Sequence, residues 1–208
     1  INGTALNASN TESIMSSLST QNSFALTVGE WQNGTVANEK DISIYYGFTF
    51  GQPLQSGIIE RGGKKAAYLY IPDFREGTTN LYSQKFAEFK AAGVQDLVLD
   101  LRYNYGGSVA AAAALCAMIP AGITANTPFI KYVGNKNGGT VLKTFSEQIA
   151  YDPSAAPFST FQSNTLNLKK VYVLTSNNTT SASEIVINNL RPYMEVVQIG
   201  TKTSGKDM

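Results

Sequence analysis

A chain of 208 residues can enclose one substantial hydrophobic core, or one domain and part of a neighbour. Its 16 basic and 15 acidic residues nearly cancel, and with only 15% charged residues the surface must be largely Ser, Thr, Asn, Gln and Gly, so neither nucleic acid nor an anionic membrane is an expected partner. The chain has no histidine and one cysteine, which excludes Ser-His-Asp and Cys-His chemistry within it and leaves no ligand set for zinc. Any nucleophilic chemistry therefore needs lysine or a carboxylate as base; no metal or cofactor is expected.

The opening Ile1-Asn2-Gly3-Thr4 reads as a strand end running into a turn, and a start in mid-fold is expected. Asn10 is placed to cap a short helix with Ile14, Met15 and Leu18 on one face, and Phe24 to Val28 alternates as a strand. This order of strand, helix and strand resembles the second half of a PDZ domain. Residues 1–31 are accordingly read as a PDZ-like remnant, too small to bury a core alone. Residues 32–63 are polar and Gly-rich, a connector with strand-like runs at Ile42 to Tyr46 and Ile58 to Arg61.

From residue 64 to 208 the pattern sharpens into one larger domain. Ala66 to Ile71 reads as a strand, Leu81 to Ala92 as a helix with Phe86 and Phe89 inward, and Asp96 to Leu101 as a continuous apolar strand. Val109 to Pro120, which overlaps a helix predicted over Ser108 to Met118, is mostly alanine and too short to span a bilayer, and Cys116 within it reads as a packed core thiol. Phe129 to Val133 and Val141 to Phe145 are predicted strands around Gly138-Gly139. Val171 to Thr175, Ser181 to Leu190 and Val196 to Ile199 then repeat strand, helix and strand. The alternation argues for an α/β layer with a mostly parallel sheet, in which sites form where strands hand over to helices.

Three such places carry chemistry. After the strand Leu97 to Leu101, Gly106-Gly107 can leave backbone N–H groups uncovered for an oxyanion; the same pair also suits a tight turn chosen only for its dihedrals. Ser181 opens a helix, beside unpaired N–H groups and the positive end of the helix dipole; with Glu184 three residues on, it also fits a capping box, and the two roles can coexist. Lys206, after Gly205, follows the strand Val196 to Ile199. A lysine works as a base near neutral pH only where apolar burial destabilises its charge, so walls are expected from Val196, Val197 or Ala110 to Ala114; otherwise it is a solvated loop lysine.

In content and order these segments resemble the C-terminal processing, or tail-specific, serine proteases. In that family a strand ending Asp-Leu-Arg-x-Asn-x-Gly-Gly precedes a Ser-Ala-Ser-Glu helix start and then a Gly-Lys. Here they stand at Asp100 to Gly107, Ser181 to Glu184 and Gly205-Lys206. The resemblance implies a crotonase-like (Clp-type) layered core of sheet and helices. It also implies a Ser-Lys dyad of Ser181 and Lys206, an oxyanion hole from Ala182 and Gly106 or Gly107, and protein or peptide tails as substrates. Ser183 and Lys202 are bystanders on this reading. Some members carry a glutamine a turn beyond the lysine, whereas this chain stops at Met208, so a fragment cut at both ends is expected. Low charge and the family's habits point to a bacterial cell envelope.

Three other readings compete. Gly200-x-x-x-x-Gly205-Lys206 matches a nucleotide-binding phosphate loop except at its last position, where Asp207 offers magnesium no neutral hydroxyl and would repel phosphate. A non-catalytic peptide-binding member of the same fold is opposed by the presence of both Ser181 and Lys206. A crotonase-like acyl-thioester enzyme is opposed by Ser-Ala-Ser-Glu.

Overall fold

The computed structural model describes residues 1–18, 20–45 and 52–206, and the chain divides into two compact units, Ile1–Gly51 and Gln52–Met208. In the first, helix α1 (Thr11–Leu18) is followed by an antiparallel hairpin of β1 (Ser23–Gln32) and β2 (Thr35–Tyr45). Asn33 and Gly34 both take positive φ, 50° and 84°, as the two-residue turn of a tight hairpin requires. The division falls inside the stretch read as a connector, and the first unit runs well past residue 31 because β2 pairs along almost the whole of β1. Tyr46, the expected end of that strand, lies outside the described residues. Asn10 does not cap α1; its carboxamide turns back to the Asn7 N–H and the Ala5 carbonyl. No described residue of this unit is buried.

The second unit is built on a five-stranded sheet in the order β3-β4-β5-β8-β9. Strand β3 (Gln55–Arg61) pairs antiparallel with β4 (Lys64–Tyr70); β5 (Asp96–Asp100), β8 (Lys170–Thr175) and β9 (Glu195–Gly200) continue in parallel. Helices α2 (Thr79–Ala91), α3 (Val109–Ala117) and α6 (Ala182–Leu190) follow β4, β5 and β8, as parallel crossovers demand. A two-stranded ribbon, β6 (Pro128–Val133) with β7 (Thr140–Thr144), and the short helices α4 (Phe145–Ile149) and α5 (Phe158–Ser163) fill the interval before β8.

Along β8, Val171, Val173 and Thr175 are buried while Lys170, Tyr172 and Leu174 are only half-buried; Leu97 and Leu99 alternate with Val98 in β5 in the same way. The sheet is thus fully covered on one face, not on both as the apolar run of β5 suggests. Helix α3 lies at the centre of the covered side, against α2, α4 and α6, and every residue from Ala110 to Ala117 is buried. Alanine suits that place because a side chain of one carbon lets neighbours on several sides approach closely. Cys116 is buried there, and loss of hydration pushes its thiol pKa upward, as an inert core thiol requires.

Candidate active site

The loops after β5, β8 and β9 meet at the carboxyl end of the parallel strands, where open sheets of this kind place their sites. The first loop starts from Asp100, a buried carboxylate that accepts Nε and Nη2 of Arg102 at 3.0 and 2.7 Å and the phenol of Tyr68 at 2.6 Å. Burial raises its pKa, but Arg102 and Tyr68 outweigh that and hold it below the usual carboxylate range.

Asn104 then fixes the loop from beneath. It is fully buried, its Nδ2 donates to the Ile71 carbonyl at 3.0 Å, and its Oδ1 accepts the Gly106 N–H at 2.8 Å. Its own carbonyl accepts the N–H of Thr180 and the hydroxyl of Ser183, both at 3.1 Å. Thr179 adds a hydroxyl bond to the Leu101 carbonyl at 2.8 Å, and the Ser176 hydroxyl donates to the Arg102 carbonyl. The second loop is therefore laced to backbone carbonyls of the first by the hydroxyls of Ser176, Thr179 and Ser183 and by the Thr180 N–H. Asn104 and Thr179, which hold the loops in place, were given no role in the sequence reading, although Asn104 stands in the quoted motif.

The two glycines have different tasks. A Cβ on Gly106 would lie 2.7 Å from Ser181 Cβ and 2.9 Å from the Thr180 carbonyl, so its lack of a side chain is what lets the loops touch. At Gly107 a Cβ would lie 2.1 Å from the Phe74 carbonyl oxygen; here the chain crosses β-fashion against Phe74, with the Ser108 N–H donating to that carbonyl at 2.7 Å. Both glycines have positive φ, 102° and 129°. The Gly106 N–H is consumed by Asn104, whereas those of Gly107 and Ala182 have no acceptor among the described residues. Of the three backbone donors expected from the sequence, Gly107 and Ala182 remain available and Gly106 does not.

Ser181 itself stands at φ 57° and ψ −117°, a region that residues with a side chain rarely occupy, at a cost of about 1–3 kcal/mol. Its carbonyl accepts the N–H groups of Glu184 and Ile185, and its N–H donates to Glu184 Oε2 at 2.9 Å, the carboxylate half of the expected capping box. Glu184 reaches further. Its Oε1 accepts the Thr203 hydroxyl at 2.8 Å and the Gly205 N–H at 2.6 Å, and its Oε2 the Lys206 N–H at 3.1 Å. Partial burial raises its pKa, but these donors prevail and the net shift is downward. The backbones of Ser181 and Lys206 thus share one carboxylate, and the Ser204 N–H ties the third loop to the Thr179 carbonyl at 3.0 Å.

Lys206 is exposed, contrary to the expected apolar enclosure: Ala110 to Ala114 are committed to the core, Val196 is only half-buried and so is Val197. Ser183 is fully buried with its hydroxyl engaged by Asn104, and Lys202 is exposed. The phosphate-loop reading fails on the same geometry. The N–H groups of Gly205 and Lys206 that would cradle phosphate are bound to a carboxylate, and Gly200 packs against the Thr175 backbone. Asp207 lies outside the described residues. Among these residues no acidic, Cys or His cluster could hold a metal ion, and no helix is long and apolar enough to cross a membrane.

A mixed α/β sheet whose loops present a strained serine beside two N–H groups uncommitted among the described residues is an arrangement found in peptide-bond hydrolases. Residues 65–208 match peptidase family S41, and the chain belongs to that family. It is similar over 99% of its length, at 30% identity and a TM-score of 0.67, to a protein assigned to the S41 proteases from Bacteroides fragilis, of which it covers 53%. A photosystem II D1 C-terminal processing protease shares 21% identity over 81% of this chain and 41% of its own, with a TM-score of 0.54. A lipoprotein from Streptococcus agalactiae shares 18% over 72% and 50%, with a TM-score of 0.51; these last two show the fold alone. The chain spans about half the length of these structures. No curated protein matches it significantly.

Proposed function

We propose that the chain carries the catalytic centre of a serine endopeptidase that cuts near the C-terminal tails of proteins, built on a crotonase-like core and working in a bacterial cell envelope. Ser181 is the nucleophile, Lys206 the general base, and the N–H groups of Gly107 and Ala182 the oxyanion hole. The observation that carries this reading is the strained Ser181 backbone held against Gly106, next to two N–H groups that have no acceptor among the described residues. The preference for tails rests on the resemblance of Asp100 to Gly107, Ser181 to Glu184 and Gly205-Lys206 to the tail-specific proteases.

In the first step the neutral Lys206 amine takes the Ser181 hydroxyl proton while Oγ bonds to the scissile carbonyl carbon. The negative charge that forms on the carbonyl oxygen accepts the two N–H groups, whose directions are set before the substrate arrives. The ammonium then gives its proton to the departing amine, leaving an acyl-enzyme that water cleaves with the lysine again as base. Because Lys206 is exposed, a bound peptide must supply the exclusion of water that a lysine base needs.

Peptide cleavage by Ser181→Ala, Lys206→Ala and the double variant tests the proposal. Each single variant is expected to abolish turnover with melting temperature nearly unchanged, and the double variant to be scarcely worse, because members of one catalytic unit do not contribute additively. Lys202→Ala should cleave normally. Near-normal cleavage by Lys206→Ala would remove the dyad, and tight peptide binding without any cleavage would favour the non-catalytic reading.

A further inference from the structure

We propose that Tyr105 is a specificity-determining residue, its ring forming a wall for a large apolar substrate side chain next to the scissile bond; this rests on the peptidase reading above. Tyr105 immediately precedes Gly106, which packs so closely on Ser181 that a Cβ added to it would lie 2.7 Å from Ser181 Cβ. One trans peptide link puts the Tyr105 Cα at most about 8 Å from that Cβ, less than the span of three residues of an extended peptide. A peptide whose carbonyl sits between the N–H groups of Gly107 and Ala182 therefore lays its flanking residues within reach of this ring.

Exposure and rigidity point the same way. Tyr105 is 67% exposed, although its neighbours Asn104 and Gly106 are both fixed by hydrogen bonds. Asn104, fully buried, occupies the inward position and anchors to Ile71, Gly106, Thr180 and Ser183, so Tyr105 cannot turn into the core without tearing those bonds out. The loop thus presents a large amphipathic ring on a fixed base at the rim of the site, and a ring so held loses little freedom on binding. Tyr103, 56% exposed on the other side of Asn104, stands against the Arg102 guanidinium at 5.8 Å and serves as the internal control.

The experiment compares peptides of one sequence carrying alanine or leucine at each residue flanking the cut, cleaved by the wild type, Tyr105→Ala, Tyr105→Phe and Tyr103→Ala. At the position facing the ring the wild type should favour leucine about tenfold in kcat/KM, the scale of one apolar subsite contact. Tyr105→Ala should bring that ratio near one, mainly through KM; Tyr105→Phe should keep it, since the ring and not the hydroxyl is the contact, and Tyr103→Ala should leave it unchanged. A wild type that cleaves but shows no such preference at any flanking position, or a Tyr105→Ala that keeps it, overturns this inference and leaves the dyad standing. A wild type no more active than Ser181→Ala overturns the peptidase reading, and this inference with it.

Discussion

Glu184 accepts hydrogen bonds from Ser181, Thr203, Gly205 and Lys206, so a single carboxylate fixes how the helix that carries the serine stands to the loop that carries the lysine. None of the three bonds to Thr203, Gly205 and Lys206 is implied by the capping-box spacing, which accounts only for Ser181. Glu184→Gln keeps size and shape but turns one acceptor into a donor, so an amide would face N–H groups it cannot satisfy. Displacements of about 1 Å in a catalytic group cost on the order of a hundredfold in rate. We therefore expect Glu184→Gln to lower kcat by roughly that factor with little change in KM, because Glu184 binds the backbones of the proposed dyad, Ser181 and Lys206. A change confined to KM would show that it acts on binding instead.

At the scale of elements, the glycine pair separates stability from activity. Gly107 abuts main chain that cannot yield, so Gly107→Ala combines a positive φ with a clash on the Phe74 carbonyl and should cost about 3 kcal/mol or more. That corresponds to a fall in Tm of about 6–12 °C, read by thermal denaturation. At Gly106 the added methyl meets Ser181 Cβ at 2.7 Å and the Thr180 carbonyl at 2.9 Å, a milder clash than the 2.1 Å at Gly107, so Gly106→Ala should remove cleavage with a smaller loss of stability. The order of the main elements was legible because hydrophobic period and turn residues agree there: β5, α3, β8, α6 and β9 lie within two residues of their predicted bounds. What escaped was set by contacts distant in sequence. Helix α4 was missed although Thr144 and Glu147 form a reciprocal cap, because that signal lay at the end of a strand pattern. Strand β2 was read only in its last part, since its exposed residues, Asn38 and Lys40 among them, carry no apolar alternation. The serine and the glycine turn stood out by composition, but that Gly106 yields its N–H to Asn104 depends on a bond only the fold reveals.

Across the whole molecule the two units should differ in protection from exchange. With no described residue buried, the β1-β2 hairpin should exchange its amides well before β5 and β8, whose inward side chains are fully enclosed; equal rates would contradict that. The second unit also carries the groups that set the response to pH. Asp100, Asp152 and Glu184 are held below the usual carboxylate range: burial raises each, but hydrogen-bond donors outweigh it. Unfolding returns them to higher values, so the unfolded chain binds more protons in acid. Their contribution is fully present above the ordinary carboxylate range and is lost as pH falls through it towards the lower folded values. Tyr82 acts at the other end. Its side chain is fully buried in α2 and its hydroxyl makes no hydrogen bond of good geometry among the described residues; burial pushes its pKa from 10.0 to about 12, only partly offset by the Thr78 side chain. Here the unfolded chain loses the proton first, so stability is present below pH 10 and falls between there and about 12. Tyr82→Phe removes both the unpaired hydroxyl and this titration. It should melt at or slightly above the wild type at pH 7, since deleting an unsatisfied buried group of the same shape costs little. By pH 11 it should be clearly the more stable of the two, and a melting curve in which the gap fails to widen between pH 9 and 11 would show that Tyr82 does not govern the alkaline limb.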